Sequence, residues 1–230
     1  MTPSTRLTIT SSRRRFWTTC AAAAIPFALA GCSSLSNAVL APQPDVTKFY
    51  LLTPTADASA APSGATQGTG GDFAIGLGPI KLPPYLDRQE VVTRAAPNRL
   101  ELSKNERWGE SLQNGFTGVM ARDLAAQTGT GRVIPYPWYN TVHIDLQVQI
   151  DVYRFETDGN GNAQLSAKWT ILDSTGKNIL YTVESSLTEP SKPGDTTAAA
   201  AALSHAVGDL SGQIANMLHQ LRSQPGAHPA

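Results

Sequence analysis

The strongest constraint on this chain is a single alternation. Ile144, Leu146, Val148, Ile150 and Val152 are interleaved with Asp145, Gln147, Gln149 and Asp151. Side chains on a strand point to opposite faces in turn, so this segment has one buried face and one wet face. Two more segments follow the same rule. Leu165, Ala167, Trp169 and Ile171 form one, and Ile179, Tyr181, Val183 and Leu187 the other. Asp158-Gly159-Asn160-Gly161 and Asp173-Ser174-Thr175-Gly176 lie between them and carry turn chemistry. Together they predict an antiparallel meander.

An apolar sheet face needs a cover, and two segments have helical spacing. Trp108, Leu112, Phe116, Val119, Met120 and Leu124 recur every three or four residues. Ser103 and Glu106 have capping-box spacing, so the first helix is expected to start at Ser103 and to stop at Gly129 and Gly131. Asp195 is positioned to cap a second helix. Ala198 to Ala202 propagate it, and Leu203, Val207, Leu210, Ile214, Met217 and Leu221 supply its stripe. That stripe is too short for a coiled-coil seam and fits better against the sheet. The expected fold is α+β: two layers, an antiparallel sheet with both amphipathic helices on one face.

The remaining elements are shorter. Lys48 to Leu52 reads as a first strand and Phe73 to Leu82 as another, with Gly76, Gly78 and Pro79 marking an edge or bulge. Glu90 to Arg94 and Arg99 to Leu102 read as a hairpin around Pro97-Asn98, and Val133-Ile134 as a short strand. Between Thr55 and Asp72 the chain is rich in Ala, Gly, Ser and Thr without apolar periodicity, which predicts a flexible insertion within the domain. The tail from 225 to 230 is expected to be disordered.

The N-terminus sets the location. Arg6 and Arg13-Arg14-Arg15 precede an apolar run from Phe16 to Leu29, too short to span a bilayer and ordered as a secretory signal. Leu29, Ala30 and Gly31 then stand immediately before Cys32. This lipobox pattern resembles bacterial lipoprotein precursors. It implies that a signal peptidase recognises Leu29, Ala30 and Gly31, removes residues 1–31 and leaves Cys32 carrying lipid. One acyl chain binds a membrane only reversibly, at about 0.8 kcal/mol per buried CH₂, so two or more chains make a stable anchor. Ser12 to Phe16 reads equally as a twin-arginine export signal or as a plain basic region. Ser33, where Asp would retain a lipoprotein in the inner membrane, favours the outer membrane, facing the periplasm. Residues 32–45, small and polar with Pro42 and Pro44, read as a tether ahead of a domain over 46–224.

Removing the signal discards four of the eighteen basic residues and none of the eighteen acidic ones, leaving about −4. A mildly acidic domain has no electrostatic footprint for nucleic acid. Of the two cysteines, Cys20 leaves with the signal and Cys32 carries lipid. The mature domain therefore has no disulfide, thiol catalyst or Cys-based metal site.

Catalytic sets are not found. His143 and Asp145 share the polar face of the long strand, where they read as solvated side chains. His205 and His219 are too far apart for one metal, so no metal and no cofactor are expected. Ser174-Thr175-Gly176-Lys177 matches a Ser-x-x-Lys tetrad, but it sits in a turn and lacks the partner motifs. Asp87 and Arg88, after the apolar turn Leu82-Pro83-Pro84-Tyr85-Leu86, read either as an ion pair stapling the loop or as a contact point for a partner.

The mature chain resembles the ABC-type transport auxiliary lipoproteins, the PqiC/YmbA-like family. Phe49-Tyr50-Leu51-Leu52, the Leu82 to Arg88 segment, Trp108-x-x-x-Leu112, Val152-Tyr153-Arg154-Phe155, Ala167-Lys168-Trp169 and the Ala-rich last helix carry the likeness. The resemblance implies a non-catalytic accessory subunit that docks a periplasmic MCE-type partner of an ABC lipid-transport system at the outer membrane. Tyr85, Asp87 and Arg88 are then the candidate contacts, and a ring of identical subunits is a further expectation. The competing reading is a binding module whose cleft itself carries a lipid or peptide.

Overall fold

The computed structural model describes residues 46–55, 73–139 and 141–223. The lipobox with Cys32, the tether, the body of the insertion and the C-terminal tail lie outside the described residues. Eight strands and two long helices follow in the order β1 Lys48–Tyr50, β2 Ile75–Lys81, β3 Glu90–Ala96, β4 Arg99–Trp108, α1 Leu112–Thr128, β5 Val133–Pro135, β6 Leu146–Asp158, β7 Ala163–Leu172, β8 Ile179–Glu189 and α2 Thr196–Ser223.

The fold is α+β, with one eight-stranded sheet and both helices packed against each other and against its apolar face. The sheet is mixed, however, and not wholly antiparallel. Strands joined by tight turns pair antiparallel: β3 with β4, β6 with β7, and β7 with β8. The four other pairings are parallel: β1 with β4, β2 with β5, and both β2 and β3 with β6. They join segments far apart in sequence, and no local turn signal encodes them.

The alternation at β6 places Leu146, Val148, Ile150 and Val152 against the helices. A bulge opposite β7 falls between Val152 and Arg154 and shifts the phase, so Phe155 becomes the next inward residue. Phe155 meets Phe116 of α1 edge to face, ring centres 5.1 Å apart. Leu203, Val207, Leu210, Ile214 and Leu218 of α2 complete the core with Leu124 and Met120. At about 25 cal/mol per Å² of apolar surface removed from water, this burial is the main stabilising term of a domain without disulfides.

The first helix starts later than its spacing suggests. Its N-cap is Ser111, whose Oγ accepts from the Asn114 N–H at 3.2 Å, and not Ser103. Ser103 to Trp108 remain extended in β4, because Glu106, Arg107 and Trp108 pair with β1 and Arg107 with β3. The Ser103 hydroxyl still reaches Glu106, at 3.1 Å, but as a strand contact. Trp108 is core, as its stripe predicts, though at the end of a strand. Gly129 ends α1 in the left-handed conformation at φ +70°, where glycine carries no Cβ penalty. Asp195 caps α2 as expected, accepting from the Ala198 N–H at 3.1 Å.

Thr55, expected to open the flexible insertion, is firmly held. Its N–H and hydroxyl donate to the two carboxylate oxygens of buried Asp123 at 3.0 and 3.4 Å. It also abuts Gly208 of α2, where the missing Cβ leaves room for its hydroxyl.

Candidate functional site

One edge of β6 pairs with β7 along most of its length, broken only by the bulge after Val152, and the other has a wider gap. On that second edge β2 pairs with residues up to Asp151, and β3 resumes only at Thr157 and Asp158. The chain between them is Leu82 to Gln89. Pro83 and Pro84 carry no N–H and cannot extend a ladder. Pro84–Leu86 instead forms a single 3-10 turn that buries Leu86 and turns Tyr85 toward the gap.

Tyr85 and Glu156 supply polar groups where strand partners are missing. The Tyr85 hydroxyl donates to Glu156 Oε2 at 2.7 Å and lies 3.4 Å from the carbonyl oxygen of Tyr153. The Phe155 N–H donates to the same Glu156 oxygen at 3.0 Å. Arg94 Nε of β3 donates to Oε1 at 2.6 Å and Arg154 Nε at 3.2 Å. The Glu156 carboxylate, fully buried, therefore receives four donors. Arg94 also reaches the Pro97 carbonyl at 3.1 Å and lies over the Tyr85 ring, 5.6 Å from its centre. Buried ionised groups persist only when paired and hydrogen-bonded like this.

The electrostatics agree with an ionised Glu156 and a neutral Tyr85. Burial alone raises a carboxyl pKa, but the bonds from Tyr85, Arg94, Arg154 and the Phe155 N–H outweigh it and hold Glu156 below its ordinary range. Burial, reinforced by the adjacent carboxylate, pushes the Tyr85 hydroxyl up to about 12. The bond to Glu156 raises Arg94 further. Such a cluster has no free nucleophile and no group poised near neutral pH. Its physical role is to lock the Leu82–Gln89 crossing in one shape.

On the solvent side of that crossing is a groove of about 490 Å³, lined by Leu82, Pro83, Asp87 and Arg88 and by Ser111 and Gln113 at the start of α1. Gln113 Nε2 donates to the Ile80 carbonyl at 2.9 Å, joining the helix start to the end of β2. Asp87 and Arg88 are exposed on its rim and form no ion pair with each other, so the stapling alternative does not hold. The three loop residues thus divide: Tyr85 faces inward, while Asp87 and Arg88 face water.

The other residues considered for chemistry have structural partners. His143 lies 3.0 Å from Asp145 Oδ1, and Asp145 Oδ2 accepts from the Ala74 N–H at 2.7 Å, tying β2 to β6. Ser174 to Lys177 form a turn organised by Asp173, which accepts from Thr175, Lys177 and Asn178. His219 contacts the Gln127 carbonyl at 3.3 Å. Among the described residues no three His, Cys, Asp or Glu side chains gather to hold a metal, and no helix is long and apolar enough to cross a membrane.

Sequence reasoning missed Glu156, Arg94 and Arg154. Their only local signal is the broken alternation after Val152, which marks the bulge but not what it presents.

The family model for the ABC-type transport auxiliary lipoprotein component matches residues 50–215. The chain belongs to this family. As an ABC-type transport auxiliary lipoprotein it shares its fold with solved structures of low identity. The crystal structure of an uncharacterised protein superposes with a TM-score of 0.60 at 13% identity, covering 75% of this chain and 98% of that one. A protein from Xanthomonas campestris gives 0.55 at 20% identity, covering 66% and 89%. A PelC dodecamer from Paraburkholderia phytofirmans overlaps at 0.39 and 12% identity, covering 68% and 91%, a likeness too loose to bear on assembly. No curated protein matches the chain. The matched span holds β2 to β8, α1, α2 as far as Ala215 and every member of the Glu156 cluster. An auxiliary component of this kind acts with a transport system and is attached to a membrane as a lipoprotein.

Proposed function

We propose that this lipoprotein is the docking subunit of an ABC/MCE-type system that moves lipids between two membranes. Cys32, acylated after cleavage behind Gly31, anchors it in the outer membrane facing the periplasm, and the 32–45 tether lets the domain orient on its partner. The role is accessory and non-catalytic, and several identical subunits assemble around an MCE-type periplasmic protein. The observation that carries this reading is the Leu82–Gln89 crossing. A fully buried carboxylate with four donors fixes a surface loop, so Asp87 and Arg88 are presented at the groove in one geometry. A rigid loop loses little entropy on binding, which favours a docking element.

The test is co-purification from detergent-solubilised envelopes. Material with intact Asp87 and Arg88 is expected to recover an MCE-type protein, and Asp87→Arg or Arg88→Glu to lose it without loss of folding. Recovery of no such protein by the unaltered chain overturns the proposal. The groove volume also lies within the range of small-ligand sites, roughly 300–1,000 Å³. A stoichiometric ligand in native mass spectra would move the function to a binding module.

A further inference from the structure

Beyond the groove, one surface feature has a built support and no role in the docking site. The segment from Val133 to Val142 contains Tyr136 between Pro135 and Pro137, then Trp138 and Tyr139, and no charged residue. With 16% of the chain charged, a window of this length would ordinarily hold one or two. It leaves β5, which pairs with β2, and turns back at Tyr139, whose carbonyl accepts from the Val142 N–H at 2.9 Å. Tyr139 is 81% exposed and Tyr136 54%. Trp138 lies beside both in the chain, and a contiguous exposed apolar patch, unlike a single exposed ring, marks a contact surface.

The two glycines of β2 are the seat of this projection. A Cβ at Gly76 would press into Ile144 and the Trp138 ring, at 2.9 and 3.2 Å. A Cβ at Gly78, whose φ is +122°, would come within 2.7 Å of the Tyr136 Cβ. The Tyr136 N–H donates to the Leu77 carbonyl between them at 2.8 Å. Tyr136 and Trp138 then brace each other edge to face, ring centres 5.2 Å apart. The Gly-x-Gly of β2 is thus the socket in which an aromatic tip is held, and glycine in a strand interior is otherwise destabilising.

We propose that this tip, Tyr136, Trp138 and Tyr139, inserts into the headgroup region of the bilayer that carries the anchor. Phenol and indole rings have an apolar body and a polar tip, the combination that settles at a membrane–water boundary. A projecting tip enters a fluid surface without needing a complementary pocket. Chain length is compatible with it. The thirteen residues from Ser33 to Asp45 extend to about 45 Å, comparable with the roughly 43 Å of β6, the longest strand, so the tether does not by itself dictate which face meets the bilayer. The proposal rests on the anchored reading for proximity, and it adds a second, non-covalent contact that fixes which face looks at the membrane.

The test uses the full chain reconstituted into phosphatidylethanolamine and phosphatidylglycerol vesicles whose acyl chains carry bromine near the headgroup. Trp108 and Trp169 are buried, so the difference between the chain and Trp138→Phe reports Trp138. Quenching of that emission is expected, and its loss in Tyr139→Ser, a substitution at a side chain open to water. Intact mass, read in parallel, reports lipid on Cys32. A lipidated chain without Trp138 quenching overturns the aromatic contact and leaves the anchor standing, and points to a protein partner for the tip. A quenched chain without lipid supports the contact and removes the anchor. A chain with neither removes both.

Discussion

Arg94 Nε lies 2.6 Å from Glu156 Oε1, and this contact joins β3 to β6 beside the stretch of edge where the ladder between them fails. The carboxylate has no exposure of its own, so it depends on its donors. Glu156→Gln leaves the two guanidiniums without an anion. Breaking a fully buried pair costs about 3–5 kcal/mol, and because Arg154 is more than a third exposed about 2–3 kcal/mol is expected. At about 2–4 °C per kcal/mol for a domain of this size, thermal melts should fall by roughly 4–12 °C. Tyr85→Phe should cost about 1–2 kcal/mol, because one bond to a charged acceptor is lost. A wild-type melt for both variants would show the cluster to be dispensable.

The same cluster fixes the sign of two pH effects. Glu156 has its folded pKa below the unfolded value of about 4.5, so its contribution is complete above that value and lost as pH falls through the folded pKa. Tyr85 is raised from 10.0 to about 12, so its contribution is complete below pH 10 and lost as pH rises toward 12. Denaturant midpoints measured from pH 9 to 12 should therefore decline more steeply for the wild type than for Tyr85→Phe. Equal slopes would contradict the neutral, buried phenol.

How much of this was legible in the sequence differs by element. The strands β6 to β8 were, because one face is apolar and Asp-Gly and Thr-Gly turns join them. The body of α2 was, because Leu203 to Leu221 keep a helical period. The start of α1 was not. Ser103 and Glu106 satisfy a capping spacing equally well as neighbours on a strand, and only pairing of Glu106 with Lys48 decides between them. The parallel pairings were hidden for the same reason: their partners are tens of residues apart. Of the Leu82–Gln89 loop, Tyr85, Asp87 and Arg88 could be singled out from the sequence. The carboxylate that holds Tyr85 could not, because a bulge must first bring Glu156 to the gap.

Thr55 and Gly208 make a second test. The Thr55 hydroxyl occupies the place a Gly208 side chain would take. Gly208→Ala should gain helix propensity, about 1 kcal/mol, yet destabilise overall because Thr55 must leave Asp123 with a buried, less satisfied carboxylate. Thr55→Ala removes the hydroxyl that clashes most and leaves only its Cβ in close contact, at 3.0 Å. The double variant should accordingly be more stable than the sum of the single losses, a coupling of at least about 0.5 kcal/mol for residues in contact. Strict additivity in urea melts would place Thr55 elsewhere.

Asp173 governs the turn between β7 and β8. Burial would raise its pKa, but the Thr175 hydroxyl, the Asn178 amide and the N–H groups of Asn178 and Lys177 hold it down at about 2. Its contribution is therefore complete above its ordinary value of 3.8 and lost as pH falls toward 2. Asp173→Asn should be less stable than the wild type at pH 7, and the gap should close in acid. NMR titration of the Asp173 carboxyl would check the premise directly, and a midpoint near 4 would refute it.

Ser185 is a polar bridge between β8 and α2. Its hydroxyl accepts from Trp169 Nε1 at 2.9 Å and donates to Gln213 Oε1 at 2.6 Å, in a site closed to water on the sheet side. Ser185→Ala removes little volume but strands the indole N–H, and an unsatisfied buried donor costs about 1–3 kcal/mol. The loss should shrink by about 1 kcal/mol when Trp169→Phe has already removed that N–H, since the two substitutions then delete one interaction between them. A double-mutant cycle by chemical denaturation measures this coupling. A coupling of zero would mean that the indole N–H finds another partner in the folded chain, and the bridge between β8 and α2 would then rest on Gln213 alone.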